Sequence, residues 1–425
     1  MPNFLSHIKT KFFATETRKR LAENFLSLSI LQGLNYILPL ITLPYLVRVL
    51  GPEKYGLIAF AQAFIGYFMI LTDYGFNLSA TREISINRED KQKVSEIFSS
   101  VLTIKFFLCI LSFLILVSLL FIPKFKKDWL VYVFTFGMVL GNVLFPVWFF
   151  QGMEKMRYIT ILNIVAKSIF TVCIFIFIKK MSDFVYVPLI NSLGYLVAGM
   201  LSLRIVFKNF AVKFVIPSLE GIKHQLKEGW HIFISTVAIS LYTISNTFIL
   251  GLFTNNTIVG YYAAAEKIIR VIQSMLTPIS QTVYPYFAKI YSVDRKKAVI
   301  NLKKMLYMIG MLTFFCSLIV SLLSALIITI LLGESFQDSI NVLRILIFIV
   351  FAIGINNLLG IQGLVAFGYK TAFANIVGLC GILHLVIVTF LISKYQLIGA
   401  AISPVITEML IGIIEFLVLK RKKIL

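Results

Sequence analysis

Tyr55-Gly56-Leu57-Ile58-Ala59-Phe60-Ala61-Gln62 is matched 204 residues later by Val259-Gly260-Tyr261-Tyr262-Ala263-Ala264-Ala265-Glu266. Gly, Ala and Ala recur at the same places, and Gln62 faces Glu266. The offset is close to half of the 425 residues, as a duplicated chain would give. Each segment also enters a long apolar run. A membrane-crossing helix needs about 20 consecutive, mostly apolar residues. Twelve runs meet that length: 25–47, 57–78, 97–122, 129–150, 159–178, 185–207, 231–253, 260–288, 306–332, 342–369, 371–393 and 397–419. The offset carries the second run onto the eighth. The runs are too long for barrel strands and lack a period of two, so helix is the expected state.

Composition points the same way. Hydrophobic residues make up 59% of the chain, charged residues 14%, and the mean hydropathy is +0.91. A soluble domain carries about 25% charge, so lipid must solvate much of this surface. The net charge of +21 could suggest nucleic acid, but Lys and Arg sit in short clusters between apolar runs. The first apolar run extends from near Asn24 to about Val47. A signal-peptide core spans about 7–15 residues, so this run is expected to be a permanent span.

Counting Lys and Arg by loop sets the orientation. With the N-terminus inside, 27 fall on inner segments, 8 on outer loops and 5 within spans. Both termini are therefore expected in the cytoplasm. The longest loop, 208–230, is cytoplasmic and lies at the midpoint. The expected organisation is an N-terminal six-helix bundle (1–207), a cytoplasmic linker (208–230) and a C-terminal six-helix bundle (231–425). Six spans is an even number, so both halves start on the same side and the repeat is parallel. Transporters built this way bind substrate between the halves and work by alternating access. The fold class expected is thus an all-α polytopic membrane protein of about twelve helices.

An ionisable side chain at mid-membrane costs about 2.5–3.5 kcal/mol on insertion scales, so each one is a candidate functional group. Span eight is richest. Glu266, Arg270, Gln273, Thr277 and Gln281 follow helical spacing on one face, Lys267 lies beside them, and Pro278 and Pro285 permit bends. The stripe reads as the lining of a hydrated, cationic cavity. Its competing reading is a self-neutralising Glu266–Arg270 pair that only assists packing. Span two offers a weaker copy in Gln62, Gly66, Asp73 and Asn77; span one offers Gln32, Asn35 and Thr42; span seven offers Tyr242 and Asn246. Lys105 and Lys167 are expected to snorkel to the inner headgroups. Arg48 and Arg344 are expected to anchor outer span ends. Glu408 and Glu415 share one face of span twelve and read as a polar helix contact, with a proton site as the alternative. His384 reads as a satisfied buried histidine.

Four cysteines (Cys109, Cys173, Cys316, Cys380) lie inside apolar runs without metal or disulfide spacing, so they read as small buried hydrophobes. No GxxxxGK[ST] loop, metal cluster or large outer loop is present. The expectation is a transporter, not an enzyme, with no cofactor.

Asn35 to Leu46 (Asn-Tyr-Ile-Leu-Pro-Leu-Ile-Thr-Leu-Pro-Tyr-Leu), Leu50-Gly51-Pro52-Glu53-Lys54-Tyr55-Gly56 and Asp73 to Glu83 resemble the opening of the Wzx-type polysaccharide flippases. Leu241-Tyr242-Thr243, Asn246, Leu250-Gly251 and Gly260-Tyr261-Tyr262 leading into Ala265-Glu266-Lys267 are similar in the second half. The resemblance covers the whole chain. It implies the multidrug/oligosaccharidyl-lipid/polysaccharide exporter fold, placement in a bacterial inner membrane and a role in lipopolysaccharide biosynthesis. The implied substrate is an O-antigen repeat unit on undecaprenyl pyrophosphate, held in a cationic cavity lined by spans one, two, seven and eight. A polysaccharide polymerase and a chain-length regulator are the protein partners such a role would bring; nucleic acid is not one.

That substrate sets the expected site. Arg270 and Lys267 are first choices for the pyrophosphate, Arg as a bidentate fork and Lys as a point charge. Gln62, Asn246 and Gln273 suit sugar hydroxyls, with Tyr242 and Asn35 beside them. The expected drive is either consumption of product outside or a proton or sodium gradient, with Glu266 and Asp73 as candidate proton carriers. Two other function classes compete. A drug antiporter should have a net acidic cavity, whereas this one is net basic. A polymerase or ligase needs a large outer loop.

Overall fold

The computed structural model describes the backbone of residues 16–422 and 424–425. Side chains are described at 33, 38 and from 40 onward, apart from 241, 242, 281, 282, 285, 288, 292 and 423. The expected roles of Asn35, Gln32, Tyr242 and Gln281 therefore fall outside the described side chains.

All regular elements among the described residues are helical. In chain order they are α1 (Glu16–Asp73), α2 (Phe76–Asn87), α3 (Lys91–Leu119), α4 (Trp129–Leu144), α5 (Val147–Gly152), α6 (Arg157–Phe177), α7 (Tyr186–Asn209), α8 (Leu219–Thr243), α9 (Ser245–Phe253), α10 (Asn256–Ser274), α11 (Leu276–Val293), α12 (Arg295–Leu322), α13 (Ser324–Leu331), α14 (Ser339–Leu346), α15 (Phe348–Asn356), a π-helix (Asn357–Val365) and α16 (Lys370–Arg421). A single turn, Pro123–Lys126, and two 3₁₀ turns, Met181–Val185 and Glu334–Phe336, complete the set.

Eight of the described helical stretches are long and apolar enough to cross a membrane, and nine when Leu219–Ser240 and Ser245–Phe253 are taken as one broken span. The chain is a polytopic all-helical membrane protein. The difference from twelve runs has a physical origin. α1 and α16 each hold two runs, broken at Gly51 (φ 68°, ψ 173°) and at Gln396 (φ 46°, ψ −115°). Gly51 has no Cβ to oppose that φ, and Pro52 follows at the restart, where its missing N–H costs nothing. Span eight does not count as apolar because α10 packs Glu266, Lys267 and Arg270 into its 19 residues.

Internal packing groups the chain into two units. Among the described residues, the first holds 16–39, 65–179 and 185–236; the second holds 40–64, 180–184 and 237–425. The grouping departs from the expected division in that 40–64 packs with the second unit and 208–230 with the first.

In the first unit, Phe76, Phe98, Trp148, Phe149 and Phe150 form an aromatic core with Ile84, Val94 and Val101. α4 and α7 lie close: a side chain at Gly141 would overlap Tyr195, one at Gly199 would overlap Leu144, and Ser202 Oγ donates to the Leu144 carbonyl at 3.0 Å. The expected linker is tied down along its length. The amides of Lys213 and Val215 donate to Ser95 Oγ (3.2 Å) and Ser99 Oγ (2.9 Å). Glu83 bonds His224 (2.7 Å) and Gln225.

In the second unit, Phe287, Leu302, Leu359, Leu364, Ile411 and Leu419 centre one buried cluster. Elsewhere in it the duplicated segments meet. A Cβ on Gly56 would collide with the Asn256 carbonyl, and one on Gly260 would collide with the Pro52 carbonyl. Pro52 and Asn256 are separated by the same 204 residues as Gly56 and Gly260, so each copy offers its glycine to the other copy's carbonyl. The repeat read from the sequence is realised here as a reciprocal contact. Phe248 stacks on Phe60 and Phe64 beside it (ring centroids 5.6 and 5.7 Å).

Candidate functional site

α10 begins at Asn255, whose Oδ1 accepts the Ile258 amide at 3.0 Å, a side-chain N-cap. Its apolar face buries Val259, Tyr262, Ala263, Ala264, Ala265, Ile268 and Ile269. The opposite edge carries the charged stripe. Arg270 Nη2 donates to Glu266 Oε1 at 2.9 Å and to the Thr243 carbonyl at 3.1 Å. Thr247 Oγ1 donates to Glu266 Oε2 at 3.4 Å. The carboxylate is thus held from two sides, by the next turn of α10 and by α9.

The pair is only partly shielded. The Glu266 side chain is 19% exposed and the Arg270 side chain 49%. Of the five guanidinium donors, those on Nε and Nη1 make no hydrogen bond among the described residues. Lys267 is exposed and Gln273 half-buried. Glu266 offsets Arg270, so the net positive charge of the cluster resides on Lys267. Gln62, in the first copy of the repeat, is also exposed.

The family model for polysaccharide biosynthesis proteins matches residues 21–291. The chain belongs to this family. Among relatives, the "Putative O-antigen transporter" of Escherichia coli (strain K12) is 35% identical, with 95% of this chain and 98% of that protein covered. A "Putative O-antigen transporter" of Shigella dysenteriae is 29% identical, with 92% of this chain and 97% of that protein covered. Among solved structures, a multidrug resistance MATE family transporter of the MOP superfamily has a TM-score of 0.71 at 14% identity, covering 94% of this chain and 98% of that one. The lipid II flippase MurJ has a TM-score of 0.67 at 13% identity, covering 92% and 87%. These likenesses establish the fold.

In this polysaccharide biosynthesis family protein the remaining expected residues do not all join the stripe. Asn246 is 5% exposed and its amide is committed. Its Nδ2 donates to the Tyr262 hydroxyl at 3.2 Å, and its Oδ1 lies 3.0 Å from His384 Nε2. That oxygen can only accept, which places the ring hydrogen on Nε2 and leaves Nδ1 to accept from Thr407 Oγ1, 2.7 Å away. His384 is a fully buried, satisfied histidine, as its sequence context suggested.

Asp73 belongs to the first unit. Its Oδ1 accepts Lys105 Nζ at 2.8 Å and Asn142 Nδ2 at 2.9 Å. Lys105 is 1% exposed, so the expected snorkelling is corrected: the ammonium is paired inside the helix bundle. Lys167 is half-buried. Arg344 Nε donates to Ser324 Oγ at 2.9 Å, and Arg48 donates to the Ile330 carbonyl, so both arginines tie down α13.

Sequence spacing gave no sign of Thr243, Thr247 or Asn142. Each acts across a turn or between helices, where no periodicity links it to its partner.

Proposed function

We propose that this protein is a flippase that moves an oligosaccharide linked to undecaprenyl pyrophosphate, an O-antigen repeat unit, from the cytoplasmic to the periplasmic leaflet of a bacterial inner membrane. The observation that carries this reading is the exposure of Arg270 and Lys267 on α10, within the apolar run 260–288. Charged groups are not tolerated against lipid tails, so their exposed surface calls for water or an anion. Arg270 offers uncommitted donors to a phosphate and Lys267 a mobile charge. Gln62 and Gln273 suit sugar hydroxyls. The transporter names borne by relatives across nearly the whole chain support the same class, and the 27-to-8 bias of Lys and Arg supports cytoplasmic termini.

The cycle is alternating access. The sugar and pyrophosphate pass through a hydrated path while the lipid tail stays in the bilayer. Complementation tests the anion role. In a strain lacking its own flippase, Arg270→Ala and Lys267→Ala should each lower surface polysaccharide about tenfold, the loss of one charge-assisted phosphate contact. Normal polysaccharide at equal protein level would overturn the assignment.

A further inference from the structure

The carboxylates that lie within the apolar runs fall into two kinds. Glu266 and Asp73 each hold a cation, Arg270 at 2.9 Å and Lys105 at 2.8 Å. Glu408 and Glu415, on the second arm of α16, form no ion pair among the described residues. Glu415 is 0% exposed, and neither of its carboxyl oxygens has a hydrogen-bond partner among the described residues. A buried carboxylate without donor or cation carries a desolvation penalty of several kcal/mol, which one added proton removes.

The surroundings are built around this carboxyl. It lies against the π-helix at Gly360, where any Cβ would overlap Glu415 Oε1. On the facing helix Gly412 leaves the matching space for Asn356 Oδ1. Asn356 Nδ2 in turn donates to Glu408 Oε2 at 2.7 Å and to the Glu408 carbonyl at 2.8 Å. Two glycines, one on each side, thus make room for a carboxyl and an amide in one seam. π-helical turns are rare and concentrate at functional sites.

We infer that Glu415, with Glu408 two turns away, is a proton-binding site that couples transport to a proton gradient. This rests on the transport reading above and assigns the proton to a different place from the anion site. A proton adds to a Glu415 oxygen when the seam opens to water on one side and leaves to water on the other; no other bond changes. α15 and the π-helix contribute no titratable residue to the seam. The first arm of α16 contributes Cys380 and His384, and α14 contributes Arg344, which is held by Ser324. On α10, Glu266 is neutralised by Arg270. His384 ties this region to the anion site. It bonds Thr407, the neighbour of Glu408, on one side and Asn246 on the other, and Asn246 is followed by Thr247, which bonds Glu266. The backbone of α16 from Glu408 to Thr407, the His384 bridge and the backbone from Asn246 to Thr247 thus form one packed route from the seam to the cation cluster.

Two measurements test the site. The first is infrared spectroscopy of the full chain in lipid nanodiscs. The wild type should show the carbonyl stretch of a protonated buried carboxylic acid at neutral pH, and Glu415→Gln, monodisperse and equally helical, should lose it. Absence of the band from the wild type, or its persistence in Glu415→Gln, overturns the proposal. The second is complementation under graded protonophore. Glu415→Gln should give about tenfold less polysaccharide than wild type, and what remains should not respond to the protonophore. Wild-type output with a wild-type dose response overturns coupling. If the wild-type chain itself fails to complement, the flippase reading falls, while the infrared result still decides the proton site.

Discussion

The two repeat-related segments, 52–73 in α1 and α10 with the start of α11, share a packing device but not a chemistry. Gly56 and Gly260 make reciprocal contacts with the other copy's carbonyl. Beyond them the copies part. Glu266, Lys267 and Arg270 stand where the first copy has Gln62, Ala63 and Gly66. The first copy keeps its charge at the far end, in Asp73, and there the carboxylate is spent on a buried lysine. The two segments share the residues that let two helices touch, where a single methyl group is too much. They differ at the exposed edge, where positions tolerate substitution within a few tenths of a kcal/mol. Only one of them carries the candidate anion site.

The largest expected effect breaks the shared part. Gly56→Ala and Gly260→Ala each place a methyl group on a backbone carbonyl that no rotamer can move. Overpacking of this kind costs about 3 kcal/mol. Both variants should lose most monodisperse protein in size-exclusion profiles after mild heating, and to a similar extent. A large loss from one glycine and none from the other would show that the two copies are not packing equivalents.

The second effect contrasts the two paired carboxylates. Asp73→Ala strands Lys105, which is 1% exposed, and an uncompensated buried charge costs about 3 kcal/mol. Adding Lys105→Met should return most of the lost thermal stability. Glu266→Ala strands Arg270, but that side chain is 49% exposed, so solvent screens it and the cost falls below about 1 kcal/mol. Transport should respond in the opposite order. Freeing Arg270 from its carboxylate changes the charge of the stripe, whereas the Asp73 double variant, if stable, should complement. Melting curves and complementation on the same three variants separate the roles.

Why part of this was readable from sequence, and part not, follows from range. Hydropathy is a property of single windows, so each of the twelve runs is mainly helical where described, and the spacing of Glu266 and Arg270 anticipated their bond. Lys105 and Asp73 are 32 residues apart and meet only because two spans pack with particular faces together. Asn246 and His384 are 138 apart. A polar residue at helical spacing looks the same whether it faces water or another helix, which is why Asn246 read as a sugar contact and is placed instead in a buried network. Glu415 was visible as a charge in an apolar run. Its isolation from every donor among the described residues depends on Gly360 and the π-helical register opposite it, and no local pattern announces either.

The smallest expected effect sharpens the account of the stripe. Thr247 reaches Glu266 at 3.4 Å, at the outer limit of a hydrogen bond, while Arg270 holds the same carboxylate at 2.9 Å. Thr247→Val keeps the shape of the side chain and removes only that donor. If Arg270 alone positions Glu266, stability should change by less than about 0.5 kcal/mol and surface polysaccharide by less than about twofold. A loss as large as that of Arg270→Ala would mean that the link through Thr247 to Asn246 and His384 carries more of the transport cycle than the ion pair does. The coupling between seam and stripe would then run through α9 rather than along α10.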